Sequence, residues 1–483
     1  METQKISYKD ISYNKTKIIG TIGPVSSSKD MLRKMIAAGL DVVRINFSHG
    51  THEQHLEVAN NVKELNKELQ RSISILGDLQ GPKLRIGKVA EGTVLEDNSE
   101  LIVTTEECIG NASKIYVNYP ELPTDIHIGD SVLIDDGNIH ITVTEKIDKK
   151  SFKTVVKYGG KLSSNKGFNL PNTDISLPSL TEKDIIDLEF AVANNFDWIG
   201  LSFVRSGEDV SDLKQRIAKL NGTGRVIAKI EKPQAITHIK SIVKQSDAIM
   251  VARGDLGVEM PLEQVPMLQK KIVDRCLNFS KPVIIATQMM ESMISSPRPT
   301  RAEASDVANA VMDGADAVML SAESSVGKYP IEAVQAVQRI VKSTEDGWDI
   351  YFKGKKPSKS SPTFLSDQIC YSAVQISEQI SAKAIISLTQ SGYTAFKIAS
   401  YRPKCDVFIF TSNKYIFRLL NLVWNVRVFY YDKMESTDQT VKDVLDILKS
   451  HDMVKVGDLV VHTASMPIMS KSRTNALKIS RVD

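Results

Sequence analysis

The stretch "RVIAKIEKPQAITHIKSIVKQSDAIMVARGD", residues 225–255, reads as strand, helix, strand. Two β-rich apolar runs, 225–231 and 248–253, flank a segment at 233–244 whose apolar residues recur at helical spacing. Mostly apolar strands joined by a helical crossover belong to a parallel sheet covered by helices. Both runs end in charge: Lys229 and Glu231, two residues apart and so on one face, then Arg253 and Asp255.

The same alternation extends in both directions. Runs at 17–22, 41–46, 73–78, 198–203, 282–287 and 317–322 bring the strands to eight. Helices are expected after Ser28, with Gly39 just past the end, and at 181–195, 206–219, 261–279, 300–313 and 330–346. Eight such units predict a closed (β/α)8 TIM barrel, with an open doubly wound sheet as the alternative. Short β-rich pieces separated by Gly, Asp and Asn turns predict a small inserted β-barrel or sandwich at 88–175. An insertion in such a loop overhangs the mouth of a barrel and is a candidate lid. The barrel then comprises 1–87 and 176–350. A Lys-, Pro- and Ser-rich linker at 353–363 opens a C-terminal α/β domain over 351–483.

Composition narrows the function. The 61 Lys and Arg against 58 Asp and Glu leave a net charge of +3, which favours neither nucleic acid nor a membrane surface as a partner. Cys108, Cys276, Cys370 and Cys405 form no metal-binding or disulfide pattern and are expected to be reduced, buried thiols of a cytoplasmic protein. The polar N-terminus has no signal-peptide core, and no apolar run reaches the roughly 18 residues of a membrane span.

In a barrel, function collects where strands end. Here those positions hold Arg44, Asn46, Ser48 and His49; Asp78, then Lys83 and Arg85; Arg205; Lys229 and Glu231; Arg253 and Asp255; Thr287; and Glu323. Taken singly, each is as well explained by a salt bridge closing the mouth. Together, Glu231 and Asp255 offer hard oxygen ligands for Mg²⁺, and Arg44, Arg85 and Lys229 offer cations to a polyanion. Gly254 and Gly257 suggest a tight turn around Asp255, with main-chain N–H groups near a small anion. No GxxxxGK[ST] motif occurs, which disfavours a P-loop kinase.

The stretches "TKIIGTIGP", "DVVRINFSHG", "GDLQGPKLRIG", "AKIE", "IMVARGDLGVE", "PVIIATQMMESMI" and "PRPTRAEASDVANAVMDGADAVMLSAES" resemble the pyruvate kinase family, over essentially the whole chain. The resemblance implies Mg²⁺- or Mn²⁺-dependent transfer of the phosphoryl group of phosphoenolpyruvate to ADP, giving pyruvate and ATP. It further implies the last step of glycolysis and a homotetramer. By the same resemblance, Glu231 and Asp255 would hold the divalent ion. Ala252, Arg253 and Gly254 would meet the substrate carboxylate, and Lys229 the transferring phosphoryl group. Thr287 would sit beside the enolate and Arg44 on phosphate. Asn46, Ser48, His49, Arg85 and Lys166 would lie on the nucleotide side.

Departures from the family pattern are informative. Many members carry Thr and Glu where Leu79 and Lys83 stand, and hold K⁺ on residues matching Asn46, Ser48 and Asp78. Lys83 is expected to pair with Asp78 and replace that ion, so that K⁺ is not required; the alternative is a lysine that snorkels to solvent. Ala322 replaces a common Gly beside Glu323. In the C-terminal domain, Thr389, Ser391, Gly392 and Thr394 lie between a strand and a helix start, an expected anion site for an effector. The loop "TASMPIMSKSRTN" (463–475) differs from that of members activated by fructose 1,6-bisphosphate, so AMP or a sugar monophosphate is expected. Two other readings remain at this stage. One is a different metal-dependent barrel acting on phosphoenolpyruvate; the other is a phosphometabolite sensor without activity.

Overall fold

A computed structural model describes residues 13–171, 173, 175–433, 436–467 and 472–483. Eight parallel strands close into a barrel: Lys17–Thr21, Val42–Asn46, Ser74–Asp78, Trp198–Leu201, Arg225–Ile230, Ala248–Ala252, Val283–Ala286 and Ala317–Leu320. Each pairs with its sequence neighbours, and the first pairs with the last in register from Lys17 opposite Ala317. This excludes the open sheet.

The bottom of the barrel is built on a repeat in the sequence. An aspartate directly precedes the second, fourth, sixth and eighth strands. Asp41, Asp197, Asp247 and Asp316 accept hydrogen bonds from Ile18 N (3.0 Å), Ile75 N (2.9 Å), Val226 N (3.0 Å) and Val283 N (3.0 Å) on the preceding strand. Buried backbone donors at the strand starts would otherwise lack partners. Two of these carboxylates also anchor the C-terminal domain: Arg418 reaches Asp197 (2.9 Å), and the fully buried Arg402 reaches Asp316 (2.9 Å).

The helices follow their caps. Thr300 accepts from Glu303 N, while the Glu303 side chain accepts from Thr300 N, opening the helix Arg301–Asp313, and Gly314 closes it at φ 104°. Three expectations are corrected. The segment 233–244 forms two short helices, Pro233–Thr237 and Ile239–Gln245; the helix expected from 261 starts at Val265 behind a 3₁₀ turn. "RGDLGVE" is a helix, Arg253–Glu259, rather than a tight turn. Its first and last residues are fixed by side chains from elsewhere, Asp306 on Arg253 and Lys232 on Glu259, which offset the weak helix propensity of two glycines.

The inserted segment has its own apolar core, including Leu101, Val132, Ile141 and Phe152. Its strands form a six-stranded mixed sheet and a separate two-stranded ribbon. In the C-terminal domain four parallel strands are joined at one edge by the antiparallel Ala476–Arg481. The expectation of four buried thiols is corrected: Cys276 and Cys370 are buried, but Cys108 and Cys405 are only partly so, and all four are unpaired. No helix among the described residues is long and apolar enough to cross a membrane.

Candidate active site

Strands three, five and six bring one carboxylate-rich cluster to the mouth. Asp78 ends strand three and is 1% exposed. Arg44, from strand two, donates through Nε to its Oδ2 (2.7 Å) and through Nη1 to Thr21 Oγ1 (2.8 Å). Lys229 Nζ lies 3.3 Å from Asp78 Oδ1 and 3.0 Å from Glu231 Oε1, and donates to Ser202 Oγ at 2.8 Å. Glu231 Oε2 accepts from Phe203 N at 2.7 Å.

The charges are mutually dependent. Burial would drive the Lys229 ammonium to lose its proton, yet Asp78 and Glu231 outweigh it and hold the proton more firmly than usual. Burial also works against the Asp78 carboxylate, and Lys229 and Arg44 reverse it, pulling its pKa down. Glu231 goes the other way: burial raises its pKa, and Asp255 adds to the rise against Lys229. The buried Glu231 and the partly exposed Asp255 are two mutually repelling carboxylates, the hard oxygen donors that a divalent cation takes. No group of three or more His, Cys, Asp or Glu donors exists among the described residues. An ion on two carboxylates such as Glu231 and Asp255 would complete its shell with water and substrate oxygens.

Strand seven ends in a strained turn. Thr287 has φ 71° and Gln288 φ 54°, a region that β-branched residues rarely adopt. The turn points Thr287 Oγ1 at Gly254 N, 2.6 Å away. A Cβ on residue 254 would meet that hydroxyl at 3.3 Å, so the close approach favours glycine there. Arg253 turns its guanidinium away from the mouth, pairing both Nη atoms with Asp306 at 2.6 Å and donating to Thr287 O at 2.9 Å. The Arg253 side chain is thus committed to Asp306, and residues 252–254 are left to present backbone beside Asp255. Glu323 is structural: its oxygens accept from Met290 N and Ser321 N.

Several sequence-predicted residues lie elsewhere. Lys83 does not reach Asp78, whose near sides are taken by Arg44 and Lys229; its Nζ lies 3.6 Å from Asp255 Oδ1. Arg85 sits on the lid side, donating to Asn165 O at 3.0 Å and bridging to Gly167. Lys166, also on the lid, pairs with Asp135 at 2.7 Å. Asn46 accepts from Ser48 N, and His49 is exposed just beyond. Arg205 donates to Ile175 O at 2.7 Å and so ties the lid connection to the barrel. Sequence reasoning missed Ser202, whose hydroxyl holds the Lys229 ammonium, and Thr21, which holds Arg44. Neither had a signal beyond its place at a strand end.

In the C-terminal domain, Thr389 Oγ1 accepts from Gly392 N (3.0 Å), and Thr394 and Thr474 share a hydroxyl contact of 2.6 Å. With Ser391, Thr363 and Arg473 they line a cavity of about 400 Å³. Residues 468–471 of the loop read above lie outside the described residues.

A closed (β/α)8 barrel with a buried lysine held between two carboxylates at its strand ends defines a class, the barrel enzymes. The family models that match are the pyruvate kinase barrel domain over residues 13–334 and its alpha/beta domain over 367–480. A pyruvate kinase of Geobacillus stearothermophilus is 40% identical over 96% of this chain and 80% of its own length. One of Mycobacterium intracellulare is 41% identical over 96% of this chain and 98% of its own. The crystal structure of a pyruvate kinase from Cryptosporidium parvum superposes with a TM-score of 0.91, at 34% identity, covering 99% of this chain and 98% of that one. The chain belongs to the pyruvate kinase family.

Proposed function

We propose that this enzyme transfers the phosphoryl group of phosphoenolpyruvate to ADP, as the last step of glycolysis in the cytoplasm, with Mg²⁺ or Mn²⁺ on Glu231 and Asp255. The carrying observation is the Lys229 ammonium, held charged between Asp78 and Glu231 beside that pair. When bound, the divalent ion would neutralise phosphate and carboxylate oxygens. Lys229 supplies a fixed cation to the equatorial oxygens of the transferring group, and Arg44 a second one nearby. Both are already oriented by Ser202, Thr21 and Asp78, so little reorganisation accompanies charge development. The backbone of residues 252–254 receives the substrate carboxylate, which takes over the Gly254 N–H now held by Thr287 Oγ1. Thr287 Oγ1, on its strained turn, belongs to the relay that delivers a proton to the enolate.

Lys229→Met should reduce pyruvate formation at least a thousandfold in a lactate dehydrogenase-coupled assay. Proton exchange into pyruvate, followed by NMR, should survive in that variant and be slow in Thr287→Ala. Near-normal turnover by Lys229→Met would refute the assignment.

We also infer activity without K⁺. Lys83 adds its charge at Asp255, and Arg44 and Lys229 already compensate Asp78. Replacing Na⁺ by K⁺ at equal ionic strength should leave turnover unchanged; a many-fold rise would refute it. The cavity at Thr389, Ser391, Gly392 and Thr394 is assigned to AMP or a sugar monophosphate in a homotetramer. Titration of these ligands against activity, with sedimentation to count subunits, tests that part.

A further inference from the structure

The lid touches the helix of Asp255 through one buried carboxylate that the reaction does not use. Glu259, the last residue of the helix Arg253–Glu259, is 4% exposed. Its Oε1 accepts from Lys232 Nζ at 2.6 Å and from Asn169 Nδ2 at 2.9 Å. Its Oε2 is buried with no hydrogen-bond partner. The three residues come from three places. Lys232 directly follows Glu231; Glu259 is one helical turn beyond Asp255; Asn169 ends the lid strand Phe168–Asn169.

We propose that Lys232, Glu259 and Asn169 form a positioning latch that couples the attitude of the lid to the spacing of the Glu231 and Asp255 carboxylates. The inference rests on those two residues holding the divalent ion. Burying Glu259 opposite one ammonium costs desolvation, and its second oxygen is left uncompensated, so the pair is poorly explained as a device for stability alone. As a link it has a direct consequence. A shift of Asn169 with the lid alters the one neutral donor that the described residues place on Oε1 and biases the last turn of the helix that carries Asp255. By linkage, metal binding then biases the lid by the same factor. The second lid tether, Arg205 on Ile175 O, borders the same cavity as Asn169 and Lys232 but is not among the donors on Glu259, and serves as the internal control.

The experiment measures Mn²⁺ binding to the full chain without substrates, by water-proton relaxation, in Asn169→Ala, Arg205→Ala and Glu231→Gln, each checked for a normal thermal melt. Asn169 is partly exposed, so its truncation spares the core. Asn169→Ala should weaken Mn²⁺ binding by about fivefold or more, with Arg205→Ala close to the unaltered protein. Hydrogen exchange should quicken over 253–259 in Asn169→Ala alone. Unchanged Mn²⁺ affinity in Asn169→Ala, or equal weakening in Arg205→Ala, overturns the latch. Unchanged affinity in Glu231→Gln overturns the metal assignment instead.

Discussion

At the scale of single residues, this molecule places charge where burial opposes it and then balances it locally. Lys229 and Asp78 hold each other ionised at the mouth. At the opposite end, Asp197 is less well balanced: burial raises its pKa from 3.8 to about 6, against the pull of Arg418 and of the Ile75 N–H. The folded chain therefore keeps this proton to a higher pH than the unfolded chain. Between about pH 4 and pH 6 folding takes up a proton at this site, so its contribution to stability declines as pH rises through that window. Asp197→Asn cannot titrate. Relative to the unaltered protein its stability should improve by about 1–3 kcal/mol from pH 4 to pH 7, in urea unfolding at each pH. A pH-independent difference would contradict the raised pKa. The Arg418 pairing forms with the ionised carboxylate and is already contained in the folded-state pKa, so it does not add a separate trend.

At the scale of elements, the lid is a unit with its own interior. Phe152 is fully buried within the lid core, which shares no member with the barrel core. Truncating it should cost about 3–5 kcal/mol. The cost falls on the lid, since the barrel loses no contact. Phe152→Ala should therefore be cut by protease within 88–175 at a concentration that leaves the rest of the chain intact. Parallel loss of barrel fragments would show that lid and barrel unfold together. The helix Arg253–Glu259 is the contrasting case: two glycines give it little propensity of its own, and it is fixed from both ends by Asp306 and Lys232.

At the scale of the whole molecule, barrel and C-terminal domain are joined by ion pairs at the strand starts, one fully buried and one partly so. Arg402 is 1% exposed, pairs with Asp316, and donates to Gly314 O and Ala399 O. Arg402→Met would leave Asp316 buried without its cation and should destabilise by about 3–5 kcal/mol. Asp316→Asn in the same chain should recover part of that loss, since a neutral side chain needs no counter-charge. Thermal unfolding of the two variants checks both statements, and additive losses would refute the pairing. Arg402 also follows the helix Tyr393–Ser400, whose first turn lines the cavity of Thr389 and Ser391, so this seam lies between that cavity and the base of strand eight.

What could be read from the chain alone depended on periodicity and on local chemistry. Eight apolar runs alternating with capped helices determined a parallel α/β architecture, because each strand and helix advertises its own burial; the pairing of the first strand with the last, which closes the barrel, was decided by the structure. Strand-end positions pointed to Lys229, Glu231, Asp255 and Thr287 as candidates, because a strand end in a barrel has one destination, and the structure places Lys229 on Glu231 and Thr287 on Gly254 beside Asp255. The aspartate before every second strand was present in the sequence but has meaning only once the neighbouring strand is known. Only the tertiary structure decided that Lys83 meets Asp255 rather than Asp78, that Arg85 and Lys166 stay with the lid, and that Thr287 sits at φ 71°. The physical reason is common to all three. Which of several opposite charges a flexible side chain reaches, and how much strain a turn carries, are fixed by packing between segments far apart in the chain.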